Sequence, residues 1–321
     1  MTTASLRLPQ CIVDLTAKLL CGRRLCILTY HRVLAGSDPL RPSEPSAEQF
    51  ESQLVVLRKA FDILRLDVAV ELLLEGRLPR RALAITFDDG YLDNHDIALP
   101  ILRRQGVPAT FFIATTFLDG SEMFNDVVIE AVRHAKASEL KPAWMPDGKR
   151  LPIASVAEKL AAINEILPIL KKMPLAMRNS CIQDLIAELR APSIDRQMMV
   201  PSEVLALHNA GMEVGGHTVN HPILCSLDDA AARAEMQQCK GRLEAILQSP
   251  VNGFAYPNGR PGIDYDRRHT VLAEELGYRY AVSTRWASAA NDASRFELPR
   301  VAPWGKTAQL FALRVARAYR D

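Results

Sequence analysis

The chain has 321 residues, 48% of them hydrophobic and 24% charged, and its 39 Lys and Arg against 37 Asp and Glu leave a net charge of +2. That apolar fraction is enough for a substantial core and excludes a largely disordered chain. The charge balance lacks the concentrated basic surface that a phosphate backbone requires, so nucleic acid is not expected as a partner. Length alone allows about two domains, but closed α/β barrels use this much chain as one unit, and one large domain with an insertion is favoured. The six cysteines, at 11, 21, 26, 181, 225 and 239, are scattered without the spacing of a disulfide framework or zinc ribbon, and are read as reduced thiols.

Residues 1–24 are expected to form an N-terminal helical segment. Its apolar residues are interrupted by Arg7, Asp14 and Lys18, so neither a signal-peptide core nor a membrane span can be drawn, and a cytoplasmic protein is expected. Ile12, Leu15 and Leu19 fall at helical spacing. Packing on the domain is the preferred role for this segment, and peripheral contact with a membrane surface the alternative.

From residue 25 to 321 short β-rich runs occur at 25–30, 83–87, 109–114, 212–215, 253–256 and 278–283. Helical patterns separate most of them. Residues 94–105 carry Ile97, Leu99, Ile101 and Leu102 before a stop at Gly106, and 227–248 begin after Ser226 as the expected N-cap with Asp228 and Asp229 in the first turn. Strand and helix in alternation predict an α/β fold on a parallel sheet, open or closed. Between about 118 and 201 the pattern turns helical, notably at 156–170 and 178–189, with no good strand. This stretch reads as a helical insertion, a candidate lid or carrier-recognition surface, although its Lys149-Arg150 and Lys171-Lys172 pairs suit a solvated face better.

The chemistry concentrates at strand ends. Ile85-Thr86-Phe87 runs directly into Asp88-Asp89-Gly90, and in parallel α/β barrels the loops at the C-terminal ends of strands gather the reactive groups. An isolated Asp pair is more often a helix cap beside a solvated carboxylate. Here Gly215-Gly216-His217-Thr218-Val219-Asn220-His221-Pro222 adds two imidazoles, and two carboxylates with two histidines suit a divalent metal. Pro222 disfavours a helix at His221, and Thr218 stands where a zincin has its Glu, so a metal loop is expected rather than a metalloprotease helix.

These residues resemble a known family. Thr86-Phe87-Asp88-Asp89-Gly90 and His217-Thr218-Val219-Asn220-His221-Pro222 look like the first two motifs of NodB-type polysaccharide deacetylases, carbohydrate esterase family 4. The similarity continues through Tyr91-Leu92-Asp93-Asn94, Pro108-Ala109-Thr110-Phe111-Phe112 and Phe254-Ala255-Tyr256-Pro257-Asn258-Gly259. The resemblance implies a distorted (β/α) barrel, one divalent metal and hydrolysis of an N-acetyl group on a sugar. By matching positions it makes Asp89, His217 and His221 the metal ligands and Asp88 the general base, with the turn from Tyr256 to Gly259 supplying a backbone N–H to the oxyanion. Zinc suits such a His₂Asp set, and cobalt, nickel, manganese or iron would also be accommodated.

Two positions depart from the pattern. Ala255 stands where many members place an Arg that orients the base, and Arg300 is the candidate substitute, with an ordinary ion pair as the alternative. No late Leu-x-His follows, since the last histidine is His269; His31, after another strand, is the candidate proton donor or pocket residue, with a structural hydrogen bond as the alternative. Asp93 and Asn94 are expected to shape the loop after Gly90, and Tyr256, Trp286 and Trp304 could stack on a sugar. The expected substrate is an N-acetylated sugar, nucleotide-linked, lipid-linked or oligomeric, in the synthesis of a surface or exported polysaccharide. Removal of a formyl group, cleavage of an O-acetyl ester, and a non-catalytic carbohydrate-binding protein on the same fold are the alternatives.

Overall fold

The computed structural model describes residues 9–302, 305 and 307–320. Its strands, in chain order, are β1 (Cys26–Tyr30), β2 (Asp62–Ile63), β3 (Ala82–Phe87), β4 (Thr110–Ile113), β5 (Glu139–Leu140), β6 (Leu151–Pro152), β7 (Glu213–Gly216), β8 (Gly253–Ala255) and β9 (Tyr280–Val282). The α-helices are α1 (Gln10–Leu20), α2 (Ala47–Ala60), α3 (Leu66–Leu74), α4 (Leu99–Gln105), α5 (Phe124–His134), α6 (Val156–Lys171), α7 (Leu175–Leu189), α8 (Pro201–Asn209), α9 (Asp229–Leu247), α10 (Arg267–Glu275) and α11 (Ala308–Arg317). The chain forms two compact units: Ser37–Pro42 with Gly120–Met198 make the smaller, and the remaining described residues the larger.

The larger unit is a distorted α/β barrel. Its strands pair in parallel in the order β1, β3, β4, β7, β8, β9, with the short β2 added beside β3. Residues 298–301 close the curl: Leu298 bridges Val282 of β9, and Val301 bridges Leu28 of β1, both in parallel. Every residue of β3 and β4 is buried, as expected of parallel strands covered on both faces, and this is why they read as continuous apolar runs.

Alternation along β3 decides what faces the interior. Leu83, Ile85 and Phe87 belong to the core beneath the helices, whereas Ala82 and Ala84 join Ile27, Phe112, Ala255, Val282 and Leu298 in the barrel interior. The period of two therefore carries Thr86 and Asp88 inward as well. β7 needs glycine for the same close packing, because a Cβ on Gly215 would lie 2.5 Å from the Phe112 ring and 2.8 Å from the Gly253 carbonyl oxygen.

The helices follow local signals with two differences from expectation. Gly106, at φ 62°, ends α4 as predicted, but residues 94–98 form a π turn ahead of it. The N-cap of α9 is Asp228, whose side chain accepts from the Ala231 N–H, while the Ser226 hydroxyl donates to the Ile223 carbonyl. The smaller unit packs α5, α6 and α7 around Val132, Ile163, Ile166 and Leu185. It also contains the antiparallel pair β5–β6, a strand element that the helical pattern of this region did not reveal. Its Lys149 and Arg150 pair with Glu165 and Glu139 at the surface. Among the described residues no helix is long and apolar enough to cross a membrane.

At the N-terminal end of β7, buried Glu213 accepts from the Tyr280 hydroxyl (2.6 Å), the Thr110 hydroxyl (2.8 Å) and the Asp67 N–H (3.2 Å). Burial, reinforced by the Asp67 charge, pushes its carboxyl up to about 7. The folded state thus holds a proton that an unfolded Glu releases near pH ~4.3. Glu213 contributes its stability fully below that value and loses it as pH rises through about 7. We expect the urea midpoint of the wild type to fall between pH 5 and 8 relative to Glu213→Gln, by the equivalent of about 2 kcal/mol. Parallel pH profiles for the two proteins would contradict this.

Candidate active site

At the end of β3 the backbone turns sharply, with Asp89 at φ 76° and Gly90 at φ 94°. Asp88 continues the inward alternation and meets Arg300, which comes from the closing segment. The two guanidinium NH groups donate to the two carboxylate oxygens, each at 2.7 Å. Arg300 also donates to the Thr86 hydroxyl at 3.2 Å and, through Nε, to the Ser283 carbonyl at 3.1 Å. Its side chain is fully buried and that of Asp88 nearly so. Burial pushes the Asp88 carboxyl up, but the Arg300 and His217 charges outweigh it and the net displacement is downward, leaving a carboxylate at neutral pH.

Asp89 faces the histidines. Its Oδ1 lies 3.4 Å from Nε2 of His217 and 3.4 Å from Nε2 of His221. His217 Nδ1 is 2.7 Å from the Ala255 carbonyl oxygen; a carbonyl can only accept, so Nδ1 carries the proton and Nε2 presents its lone pair. Asp89 Oδ1 is buried and has no hydrogen-bond partner, an arrangement that costs free energy unless something else satisfies it. Donors at zinc's usual distance of about 2.1 Å, placed tetrahedrally, lie about 3.4 Å apart along each edge. Both distances from Asp89 Oδ1 match that edge, and Asp89, His217 and His221, with donor atoms within 4.8 Å of one another, form a group able to hold a metal ion.

The protonation states largely suit this use. Burial raises the Asp89 carboxyl, but His217, His221 and His31 together drive it well below the ordinary carboxylate range. Burial pushes His221 down to about 4, so it is neutral at physiological pH. Burial also lowers His217, yet Asp89 and Asp88 outweigh it and hold its net displacement upward; a cation and a proton therefore compete for Nε2.

Residues 75–140 and 157–281 match the sequence model of the polysaccharide deacetylases. The chain belongs to that family. Membership makes it a polysaccharide N-deacetylase by reaction class. It is similar to YxkH of Bacillus subtilis, 20% identical over 280 residues that cover 87% of this chain and 71% of YxkH. A poly-beta-1,6-N-acetyl-D-glucosamine N-deacetylase of Staphylococcus epidermidis is 30% identical over 112 residues, 30% of this chain and 38% of that protein. The deacetylase PplD of Streptococcus pyogenes, solved with acetate, shares the fold at a TM-score of 0.61 and 18% identity over 89% of this chain and 96% of PplD. IcaB from Ammonifex degensii does so at 0.59 and 20%, over 92% and 98%.

In this deacetylase the structure brings Asp88, Asp89, His217, His221 and Arg300 together. His31 follows β1 with an exposed side chain, and its charge acts on both Asp88 and Asp89. Tyr256 does not take part as expected. Its N–H donates to the Val282 carbonyl within the sheet, its hydroxyl donates to the Phe296 carbonyl, and its buried ring stacks on Tyr265 with centroids 3.8 Å apart. It can therefore serve neither an oxyanion nor a sugar face. Of the same turn, Pro257 has no N–H and Gly259 donates to the Pro257 carbonyl, which leaves the Asn258 N–H without an acceptor among the described residues. Trp286 is 47% exposed; Trp304 lies outside the described residues. Asp93 and Asn94 tie the loop after Gly90 to the chain after β1: Asp93 accepts from the Val33 N–H and Arg32 Nε, and Asn94 donates to the His31 carbonyl and to Asp93.

Sequence reasoning missed Glu235, on α9. One of its carboxylate oxygens accepts from the Val219 and Asn220 N–H groups at 2.8 and 2.9 Å, and the other from the Asn220 side-chain amide at 2.7 Å. The loop it grips is strained, with Thr218 at φ 66° and His221 at φ 54°, a region that β-branched residues and residues before proline avoid. Thr218 adds a second tie, accepting from the His221 N–H at 3.1 Å. Removing the grip should let His221 relax away from Asp89. We expect Glu235→Ala to weaken metal binding about 10- to 100-fold, measured by chelator competition, with Glu235→Gln falling between it and the wild type. Equal affinity in all three proteins would show that the loop holds itself.

Proposed function

We propose that this deacetylase removes acetyl groups from N-acetylated glucosamine units of a surface or exported polysaccharide, with a divalent metal held by Asp89, His217 and His221. The observation that carries the reading is the pairing of two buried carboxylates with opposite partners. Asp88 is locked by a bidentate Arg300, while the adjacent Asp89 keeps an unsatisfied oxygen between two imidazoles. A pure binding site has no need of Asp88 in that state. The staphylococcal relative supports the substrate class, and the His₂Asp donor set favours zinc.

When bound, a divalent cation supplies Lewis acidity to the water and to the amide carbonyl. Asp88 accepts the proton of the attacking water. Arg300 keeps the carboxylate ionised and fixes both its oxygens, so the base enters the reaction already oriented. The Asn258 N–H is the backbone donor available to the oxyanion as the carbonyl becomes tetrahedral. Collapse breaks the C–N bond, gives acetate and transfers a proton to the departing amine, for which His31 is the candidate donor. His31→Gln should then remove the alkaline limb of the pH–rate profile; an unchanged limb would exclude it.

The direct test is divalent metal per chain, after purification without chelator, in the wild type, His217→Ala and Asp89→Ala, followed by acetate release from partially acetylated glucosamine oligomers. Near-stoichiometric metal is expected in the wild type and none in the variants. A wild type that takes up no metal on reconstitution would overturn the mechanism, and formate or ester cleavage in place of amide-derived acetate would reassign the acyl group.

A further inference from the structure

α1 joins the main core through Val13 and Ala17, in the same cluster as Phe311 and Val315 of α11. Its outer side carries Ile12, Leu15 and Leu19, which are 41%, 58% and 72% exposed. Their spacing puts them on one face of an 11-residue helix. Leu310, on α11, is exposed as well. Scattered exposed leucines are ordinary, but an aligned row of large aliphatic side chains marks a surface that meets something apolar.

Charge indicates what that is. Residues 9–24 and 307–320 contain Lys18, Arg23, Arg24, Arg314, Arg317 and Arg320 against a single acidic residue, Asp14. The whole chain carries only +2, so the rest of the molecule is net negative, whereas these two segments, whose helices α1 and α11 pack together, are net positive. Lys18, Arg23, Arg317 and Arg320 are exposed, and the Asp14 carboxylate accepts from Gln10 on its own helix. A second copy of the chain would match the aliphatic row but would bring a second set of cations against the first. An anionic bilayer matches both features, taking aliphatic side chains at the headgroup boundary and cations against lipid phosphates.

We propose that α1 docks this deacetylase on an anionic membrane surface, with Ile12, Leu15 and Leu19 inserted shallowly and the cations of α1 and α11 supplying the attraction. Docking of α1 requires neither the metal nor turnover. It is tested by flotation of the full chain with phosphatidylcholine vesicles, with and without about 30% phosphatidylglycerol. Binding to the anionic vesicles alone, weakened by salt, is expected. Leu15→Asp/Leu19→Asp and Arg317→Glu/Arg320→Glu should each reduce partitioning at least ~10-fold with thermal midpoints unchanged, since all four side chains are exposed. Failure of the wild type to bind anionic vesicles at low salt would overturn the proposal, as would undiminished binding by both variants. A concentration-dependent dimer dispersed by Leu15→Asp/Leu19→Asp, without vesicle binding, would assign the face to a second copy instead.

Discussion

Arg300→Ala is expected to cost about 3–5 kcal/mol of stability and to reduce turnover about as severely as loss of the base. Both effects have one cause. Asp88 and Arg300 are buried together, and removing the cation leaves a carboxylate in a low-dielectric interior with the Arg300 contribution to its depressed pKa gone. The vacated carboxyl would take up a proton and cease to be a base. Arg300→Lys should keep the charge but lose the fork that reaches both Asp88 oxygens, Thr86 and Ser283, and so recover stability better than rate. Urea unfolding and single-turnover kinetics on the three proteins measure the two effects separately. Normal stability with normal turnover in Arg300→Ala would remove Arg300 from the mechanism.

Asp88→Asn should lose about 10²- to 10⁴-fold in turnover while retaining metal, because Asp88 is outside the Asp89, His217 and His221 group. The amide keeps the shape and cannot take the proton. Stability should also fall, since Arg300 then sits buried without a counter-ion. The double variant Asp88→Asn/Arg300→Met is expected to be more stable than the sum of the single losses predicts, as each single change is dominated by the charge it strands. Strict additivity would mean that the two side chains do not act as a unit. Loss of metal in Asp88→Asn would move Asp88 into the ligand set.

Much of this arrangement was legible because burial simplifies sequence. Strands covered on both faces, such as Leu83 to Phe87, read as unbroken apolar runs, and carboxylates or imidazoles directly after them stand out against that background. Arg300 was a candidate only through the family resemblance, because Ala255 stands where many members place an Arg, and sequence left an ordinary ion pair equally open. Glu235 was not legible, because a Glu on an amphipathic helix looks like any solvated residue until the fold brings Val219 and Asn220 to it. Tyr256 misled for the opposite reason. An aromatic beside a turn suits a sugar, and only the sheet register shows that its N–H is committed to Val282. The β5–β6 pair escaped because two strands of two residues each leave no period to detect. The cap of α9 was misplaced by two residues because Ser226 and Asp228 are both good N-caps, and the choice depends on which side chain reaches the Ala231 N–H.

The segment that closes the barrel also supplies the cation that holds Asp88. Asp88 and the guanidinium that orients it are 212 positions apart, and Arg300 enters only with residues 298–301, after every strand of the sheet has been made. Asp89, His217 and His221, the group able to hold a metal ion, all precede it in the chain. The Asp88–Arg300 ion pair therefore forms only when the last turn of the barrel is laid between β9 and β1.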